Sequence, residues 1–102
     1  MRKITFHEEA ESEAHEAALY YEERATDLGL SFLDEIEKSS QRILANPMAY
    51  QRVGGEVRQA PVARFPYSIL YVIEPDEHIR VIAVAHQKRR PGYWRERLQM
   101  ET

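Results

Sequence analysis

The main change in the spacing of apolar residues along the chain falls at Gly54-Gly55. Before this dipeptide they recur every three or four residues, which is the period of an amphipathic helix. After it they recur every second residue, which is the period of a strand. A run of helices followed by a run of strands is typical of an α+β fold rather than of alternating β-α units. The chain has 102 residues, so we expect a single domain over residues 1–102.

Two helices are predicted before the change of period. The first carries five alanines and Tyr21 at helical spacing between Ala10 and Ala25, within an arc of about 100° on a helical wheel. The second should begin at Thr26-Asp27, where either side-chain oxygen can cap free amides, and should end before Asn46-Pro47. We expect the two helices to form an antiparallel hairpin. The acidic side chains outside the alanine arc should face water: Glu9, Glu13, Glu16 and Glu23.

Four strands and a short terminal helix complete the prediction. Residues 2–6 form the first strand, and residues 57–65, 67–73 and 78–86 form three more. Residues 91–98 form the helix. In the last strand, one face should carry Ile79, Val81, Ala83 and Ala85. The predicted order is β-α-α-β-β-β-α, with a helical hairpin packed on one face of a small, mainly antiparallel sheet.

The formal net charge is -3, but it is unevenly distributed along the chain. Residues 1–50 contain five Lys/Arg and eleven Asp/Glu, whereas residues 51–102 contain nine and six. A basic half can approach a phosphate backbone or an acidic protein, whereas an acidic half repels both. An uneven spread of charge over solvated faces is the alternative interpretation.

The composition disfavours several classes of protein. There are no cysteines, which excludes disulfides, thiolate metal sites and a cysteine nucleophile, and which fits a reducing cytosol. The first residues contain no long apolar run, and the apolar stretches elsewhere are too short to span a bilayer. We therefore expect a cytoplasmic protein with neither a signal peptide nor a membrane partner.

The densest chemical feature is the segment from His86 to Arg97, in which basic and aromatic residues are mixed. Basic groups neutralise phosphates and aromatic faces stack on unpaired bases, so the mixture suits RNA or a distorted nucleic-acid strand. It suits an acidic protein surface equally well. The alternative is a solvated terminal helix with Trp94 packed on the sheet. The cations of this segment that we expect to bind a target or a phosphate are Lys88, Arg89, Arg90 and Arg95.

Three further residues are candidates for chemistry. His86 closes the last strand, where it is either a general acid or base or a hydrogen-bonded edge residue. Arg58 and Arg64 either hold a phosphate on an open sheet face or pair with the acidic helices. The four histidines show no ligand spacing and the sequence has no glycine-rich phosphate loop, so we expect neither a metal site nor a cofactor.

Four segments carry a resemblance to a known family. They are the alanine-rich first helix ending at Tyr20-Tyr21, the Asn46-Pro47 end of the second helix, residues 64–71, and residues 81–86 running into Arg89-Arg90-Pro91 and Trp94. Together they resemble the RelE/ParE superfamily of type II toxin–antitoxin toxins, in the group called plasmid stabilisation proteins. The resemblance implies a RelE/ParE-like fold and a growth-inhibiting toxin. It also implies a cognate antitoxin whose C-terminal segment wraps and neutralises the toxin, giving a hetero-oligomer.

The resemblance leaves more than one target open. One branch of the superfamily cleaves mRNA in the ribosomal A site, and another poisons DNA gyrase without being a nuclease. The cleaving branch commonly has an arginine where Ser68 stands and a basic residue near Gln87, and neither side chain here supplies a cation. We therefore favour inhibition by binding, of the gyrase type. A ribosome-dependent mRNA endoribonuclease and a weakly toxic chromosomal member with a regulatory role are the alternatives.

If the protein is an enzyme, the resemblance implies a metal-independent endoribonuclease in which a ribose 2′-hydroxyl attacks its own phosphate. Tyr93 or His86 would be catalytic, because one of them would move the proton. Arg64, Arg89 and Arg90 would hold the phosphate.

Overall fold

The computed structural model describes residues 2–99. Its elements are β1 (Ile4–Phe6), α1 (Glu8–Arg24), α2 (Leu28–Ala45), a single 3-10 turn (Pro47–Ala49), β2 (Arg52–Gly54), β3 (Val57–Pro61), β4 (Tyr67–Ile73), β5 (Ile79–His86) and α3 (Arg95–Gln99). The strands form one sheet in the order β1-β5-β4-β3-β2, and β1 pairs with β5 in parallel while the other pairs are antiparallel. The predicted α+β class and order of elements are therefore confirmed. The short strand β2, paired with β3, is an addition to the prediction.

The first two helices form the predicted hairpin on one face of the sheet. Ala14 of α1 and Phe32 of α2 share a core with Ile69 of β4. A Cβ on Gly29 would lie 2.4 Å from the carbonyl oxygen of Ala18, so the helices approach each other too closely for a side chain at that position. Within residues 2–99, no helix has the length and apolar character needed to cross a membrane.

The start of α2 is capped from the preceding helix. We expected a side-chain cap from Thr26 or Asp27, but Asp27 has a left-handed backbone with φ of 68° and its side chain makes no capping bond. Instead, the Glu22 carboxylate accepts hydrogen bonds from the backbone amides of Asp27 at 2.9 Å and Gly29 at 3.0 Å. The predicted cap is therefore wrong, and a side chain of α1 satisfies the first amides of α2.

A bulge in β5 changes which of its side chains face the hairpin. Leu70 and Tyr71 are consecutive in β4, and they pair with Ala83 and Val81. Ile82 is therefore an extra residue in β5. Val84 accordingly packs with the hairpin core, whereas Ala83 and Ala85 pack on the opposite face. We predicted that Ile79, Val81, Ala83 and Ala85 share one face of the strand. This prediction is wrong beyond the bulge, because only Ile79 and Val81 face the hairpin.

The opposite face of the sheet carries a second, smaller core that the C-terminal segment covers. Trp94 is 4% exposed and packs with residues of β3, β4 and β5, and with Tyr93 and Leu98 of its own segment. The predicted terminal helix is present, but it begins at Arg95, after a series of turns over residues 91–94. The sheet is thus covered by the hairpin on one face and by the C-terminal segment on the other.

Candidate partner-binding site

A concave site lies beside the C-terminal segment on this second face. Its volume is about 460 Å³, and it is bordered by β2, β3, β4, the end of β5 and the segment that follows. Among the described residues that line it, none is acidic. We call it the cationic cleft, and its polar lining includes Gln59, Ser68, Gln87, Arg89, Arg90 and Arg95.

Two glycines make room for Arg95 and Trp94 in the wall of the cationic cleft. The Arg95 guanidinium lies 5.1 Å from the centre of the Trp94 ring. A Cβ on Gly92 would lie 2.5 Å from Arg95 Nε, and a Cβ on Gly54 would lie 3.2 Å from the Cη2 atom of the Trp94 ring. Gly92 also has a φ of 78°, which residues with a side chain rarely adopt. The turn before α3 therefore needs glycine both for its backbone and for the space that Arg95 occupies.

The other cations of the segment lie on the exposed turn that follows β5. The guanidinium of Arg89 lies 3.8 Å from the centre of the Tyr93 ring, within the range of a cation–π contact. Elsewhere in the basic half, Arg64 and Arg80 each pair with a carboxylate. Within residues 2–99, by contrast, no carboxylate pairs with the cations that we expect to bind a target, Lys88, Arg89, Arg90 and Arg95.

Tyr93 has a structural partner for its hydroxyl group. It donates a 2.7 Å hydrogen bond to Glu13 Oε2, and burial together with this bond raises the pKa of the phenol far above its usual value. The Glu13 carboxylate also accepts two hydrogen bonds from Arg97, 3.0 Å and 2.8 Å long. The side chains of Arg97 and Glu13 are only 12% and 13% exposed. The expectation that Glu13 faces water is therefore wrong.

The same ion pair protects an edge of the sheet. β1 ends opposite Val81, so in the described sheet β5 has no strand partner on that side beyond this residue. The Val84 amide donates to Glu13 Oε1 at 2.9 Å, and the Ile82 carbonyl accepts from Arg97 at 2.9 Å. Side chains thus satisfy backbone groups that would otherwise form an open strand edge.

His86 also makes structural contacts. Its Nδ1 accepts a 3.0 Å hydrogen bond from the Lys88 amide, and its ring packs edge-on against Tyr67 with ring centres 5.1 Å apart. Because Nδ1 accepts, the proton of a neutral ring lies on Nε2. His86 still lines the cationic cleft, and its catalytic role stays a prediction. Within residues 2–99 no group of three or more metal-ligating side chains is arranged to hold an ion.

The structure does not bring Arg58 and Arg64 into the cationic cleft. The Arg58 guanidinium donates to the carbonyl oxygen of Tyr50 at 2.6 Å and so holds the turn after α2. Arg64 has a left-handed backbone with φ of 72° and pairs with the buried Glu35 of α2 at 3.3 Å. For Arg64 the pairing with an acidic helix is thus the interpretation that the structure supports. A phosphate-binding role for either arginine stays a prediction.

The fold and the cationic cleft define a class of protein, namely a small α+β domain with a helical hairpin on one sheet face and a binding cleft on the other. A solved chain described as the chromosomal ParDE TA system from P. aeruginosa has a similar fold, with a TM-score of 0.61 and 12% sequence identity. The similarity covers 84% of this chain and 96% of that chain. A family model described as the ParE toxin of the type II toxin–antitoxin system parDE matches residues 4–91. The chain belongs to this family.

The RelE/ParE resemblance drawn from four short segments is therefore confirmed. A search of curated proteins gave no match. The match to the family model ends at residue 91, whereas the cationic cleft also uses Tyr93, Trp94 and Arg95. Part of the cleft thus lies outside the region that the family model matches.

Proposed function

We propose that this protein is the toxin of a type II toxin–antitoxin pair and that it arrests growth by binding an essential cytoplasmic target. Gyrase-type inhibition of DNA replication is the form that we favour, and a cognate antitoxin neutralises the toxin. The observation that carries the proposal is the cationic cleft, which gathers unpaired guanidinium groups beside a tyrosine whose hydroxyl is already engaged. Such a site suits binding of an anionic surface better than bond cleavage.

Cleavage of RNA requires a group that moves a proton and cations that hold the reacting phosphate. Tyr93 donates its hydroxyl to Glu13, and the raised pKa of its phenol makes it a poor proton carrier near neutral pH. The Nδ1 atom of His86 accepts a hydrogen bond from the backbone amide of Lys88. Ser68 and Gln87 contribute no charge to the cationic cleft. These features support binding over catalysis as the mode of inhibition.

Exposed apolar side chains on the helical hairpin support an antitoxin partner. Leu19 and Leu30 are 67% and 65% exposed, and they border an apolar groove between α1 and α2. Exposed apolar surface of this kind is typical of a protein-binding surface. We propose that a segment of the antitoxin covers this groove in a toxin–antitoxin hetero-oligomer.

Tightly controlled expression in a bacterial host, with labelled precursors of DNA and protein followed in parallel, tests the mode of action. We expect growth to stop and DNA synthesis to fall before protein synthesis, and co-expression of the antitoxin to restore growth. Early loss of protein synthesis would contradict gyrase-type inhibition and favour mRNA cleavage on the ribosome. Absence of growth arrest would favour a weakly toxic regulatory member.

Matched double variants test the contribution of the basic segment. Lys88→Ala/Arg90→Ala removes one exposed cation beside the cationic cleft and one that lines it, and Lys3→Ala/Lys38→Ala removes two exposed cations elsewhere. Both variants lose the same charge. We expect the first to relieve growth arrest at equal amounts of folded protein and the second to retain it. Equal toxicity of the two would contradict a role for the segment.

A further inference from the structure

We infer that the cationic cleft recognises the carboxylates of an acidic protein segment and does not stack nucleobases. The inference rests on the proposed function, because it names the chemistry of the surface through which the toxin engages its target. Nucleic acid is the competing ligand, since basic and aromatic side chains are mixed in this segment. Two features of the cleft and its surroundings disfavour nucleic acid, and two more suit a peptide that carries carboxylates.

The aromatic rings beside the cleft are already covered. Trp94 is 4% exposed and packs in the second core, with the Arg95 guanidinium 5.1 Å from its ring centre. Two guanidinium groups lie against the Tyr93 ring, that of Arg89 at 3.8 Å and that of Arg97 at 5.0 Å from its centre. A base stacks on an open ring face, so a stacking base would have to displace these contacts.

The stacked guanidinium groups are arranged to receive carboxylates. A guanidinium that lies over a ring still presents its N–H groups at its edge, in the fork that binds a carboxylate through two parallel hydrogen bonds. Stacking also restricts the rotamers of Arg89 and Arg95, which lowers the entropy lost when a ligand binds. Within residues 2–99 no carboxylate competes for either group.

Neutral polar side chains lie between the cations of the cleft. Gln59, Ser68 and Gln87 line it, and among the described residues their side chains have no hydrogen-bond partner. Amide and hydroxyl groups of this kind pair with the backbone of an extended peptide. Pro61 and Ala85 add apolar surface on which the stems of peptide side chains can pack. The lining can therefore bind the backbone and apolar stems of a peptide as well as its charged groups.

An acidic surface next to the cleft disfavours a phosphate backbone. Arg89 and His86 line both the cationic cleft and a neighbouring hollow of about 300 Å³, whose walls include Glu13 and Glu16. A nucleic-acid strand carries a charge on every nucleotide, so a strand that continues past Arg89 meets the exposed Glu16 carboxylate, whereas that of Glu13 is neutralised by Arg97. An acidic peptide can confine its charges to the cleft and present neutral residues to the hollow.

The only tryptophan of the chain, Trp94, reports on the cleft by its fluorescence. The purified full-length toxin is titrated with a short Asp/Glu-rich peptide, with its Asn/Gln counterpart, and with a single-stranded oligonucleotide of equal charge. We expect the acidic peptide to bind with an affinity that falls as salt is added, and the neutral peptide not to bind. The oligonucleotide should bind more weakly than the acidic peptide at the same salt concentration. Tighter binding of the oligonucleotide would overturn the inference.

Variants of the cleft sharpen this test. Arg95→Ala should weaken binding of the acidic peptide by about tenfold, and Arg95→Lys should recover only part of that loss because an ammonium lacks the fork. Arg52→Ala is the matched control, since Arg52 pairs with Glu56 outside the cleft. If Arg95→Ala unfolds the protein, Arg90→Ala at an exposed position tests the same expectation. Unchanged affinity in the folded cleft variants would count against the inference.

The peptide titration and the growth assay can fail separately. If the wild type does not arrest growth while the acidic peptide still binds in the cleft, the proposed function is wrong and the inference stands. If growth arrest depends on Arg95 but the acidic peptide does not bind, the proposed function stands and the inference is wrong.

Discussion

Glu13 joins three parts of the chain that are far apart in the sequence. Its carboxylate binds Arg97 and Tyr93 of the C-terminal segment and the Val84 amide of β5. In the sequence it is one of several glutamates beside the alanine arc, and its partners lie 71 to 84 residues away. Helical spacing predicts the direction in which a side chain leaves its helix. It does not predict which distant residue comes to meet it.

Glu13→Ala should lower the free energy of unfolding by about 3 kcal/mol, because it leaves the largely buried Arg97 guanidinium without a counter-charge. Chemical denaturation followed by circular dichroism measures the change. Glu16→Ala on the same helix is the control, since Glu16 is exposed and its loss should change stability by less than about 0.5 kcal/mol. Equal losses in the two variants would show that the contacts of Glu13 add no more stability than an exposed glutamate does.

We expect Tyr93→Phe still to arrest growth, because the Tyr93 hydroxyl forms a hydrogen bond with Glu13 and does not bind a substrate. The same change should lower the free energy of unfolding by about 1 kcal/mol through the lost hydrogen bond. Growth of an expressing culture and a denaturation curve of the purified variant measure the two effects. Loss of toxicity in a stably folded variant would instead support proton transfer by Tyr93 and the nuclease interpretation.

The cations of the cleft can be predicted from the sequence because they cluster within one short segment. Their arrangement cannot, because Arg95 reaches its place through the absence of a side chain at Gly92. The separation of Arg58 and Arg64 from the cleft is also invisible in the sequence. Arg58 is held by the carbonyl oxygen of Tyr50, and Arg64 is held by the buried carboxylate of Glu35.

At the scale of elements, the period of apolar residues predicts the helices and the long strands and misses two details. β2 spans only Arg52–Gly54, which is too short to show any alternation. The bulge at Ile82 is hidden because apolar residues occupy both faces of β5, so a change of face leaves no trace in the pattern. A strand that is covered on both faces appears in the sequence as a continuous apolar run. Such a run does not indicate which face of the sheet each side chain lies on.

β4 is tied to the turn after α2 by a tyrosine that gives the fold a pH dependence. The Tyr71 hydroxyl donates a 2.6 Å hydrogen bond to the Pro47 carbonyl, and burial raises the pKa of Tyr71 to about 12. The pKa of an unfolded tyrosine is about 10, so the contribution of this group to stability is fully present below pH 10. It is lost as the pH rises towards 12.

The difference in unfolding free energy between wild type and Tyr71→Phe should therefore shrink between about pH 10 and pH 12. Below pH 10 the variant should be less stable by about 1 kcal/mol, because the Pro47 carbonyl loses its partner. Denaturation curves at a series of pH values measure both quantities. Tyr20→Phe is the control, since Tyr20 is 50% exposed. A constant difference across this pH range would contradict the link to Tyr71.

At the scale of the whole molecule, the acidic helices and the unpaired cations of the C-terminal segment lie on opposite faces of the sheet. The acidic half forms the hairpin on one face, and the unpaired cations border the cleft on the other. The sequence predicts that the halves differ in charge, but their placement depends on the tail crossing to the second face. Such a molecule is oriented by the field of a charged target before contact.

Under the proposed gyrase-type inhibition, the protein should inhibit the supercoiling activity of purified DNA gyrase, and this inhibition should weaken as salt rises because salt screens the orienting field. At low salt, Lys88→Ala/Arg90→Ala should raise the half-inhibitory concentration by roughly tenfold, and at high salt the difference should narrow. Lys3→Ala/Lys38→Ala should follow the wild type at every salt concentration. A salt-independent inhibition by the wild type would argue against electrostatic recognition of the target.

The parallel pairing of Ile4 with Ile79 sets an order of events during synthesis. β1 and both hairpin helices are synthesised before β5, so the first strand must wait for its neighbour while the hairpin helices are already present. The groove beside Leu19 and Leu30 therefore emerges before the cationic cleft. A partner that binds the hairpin could therefore bind the nascent chain before the cleft that we propose binds the target has formed.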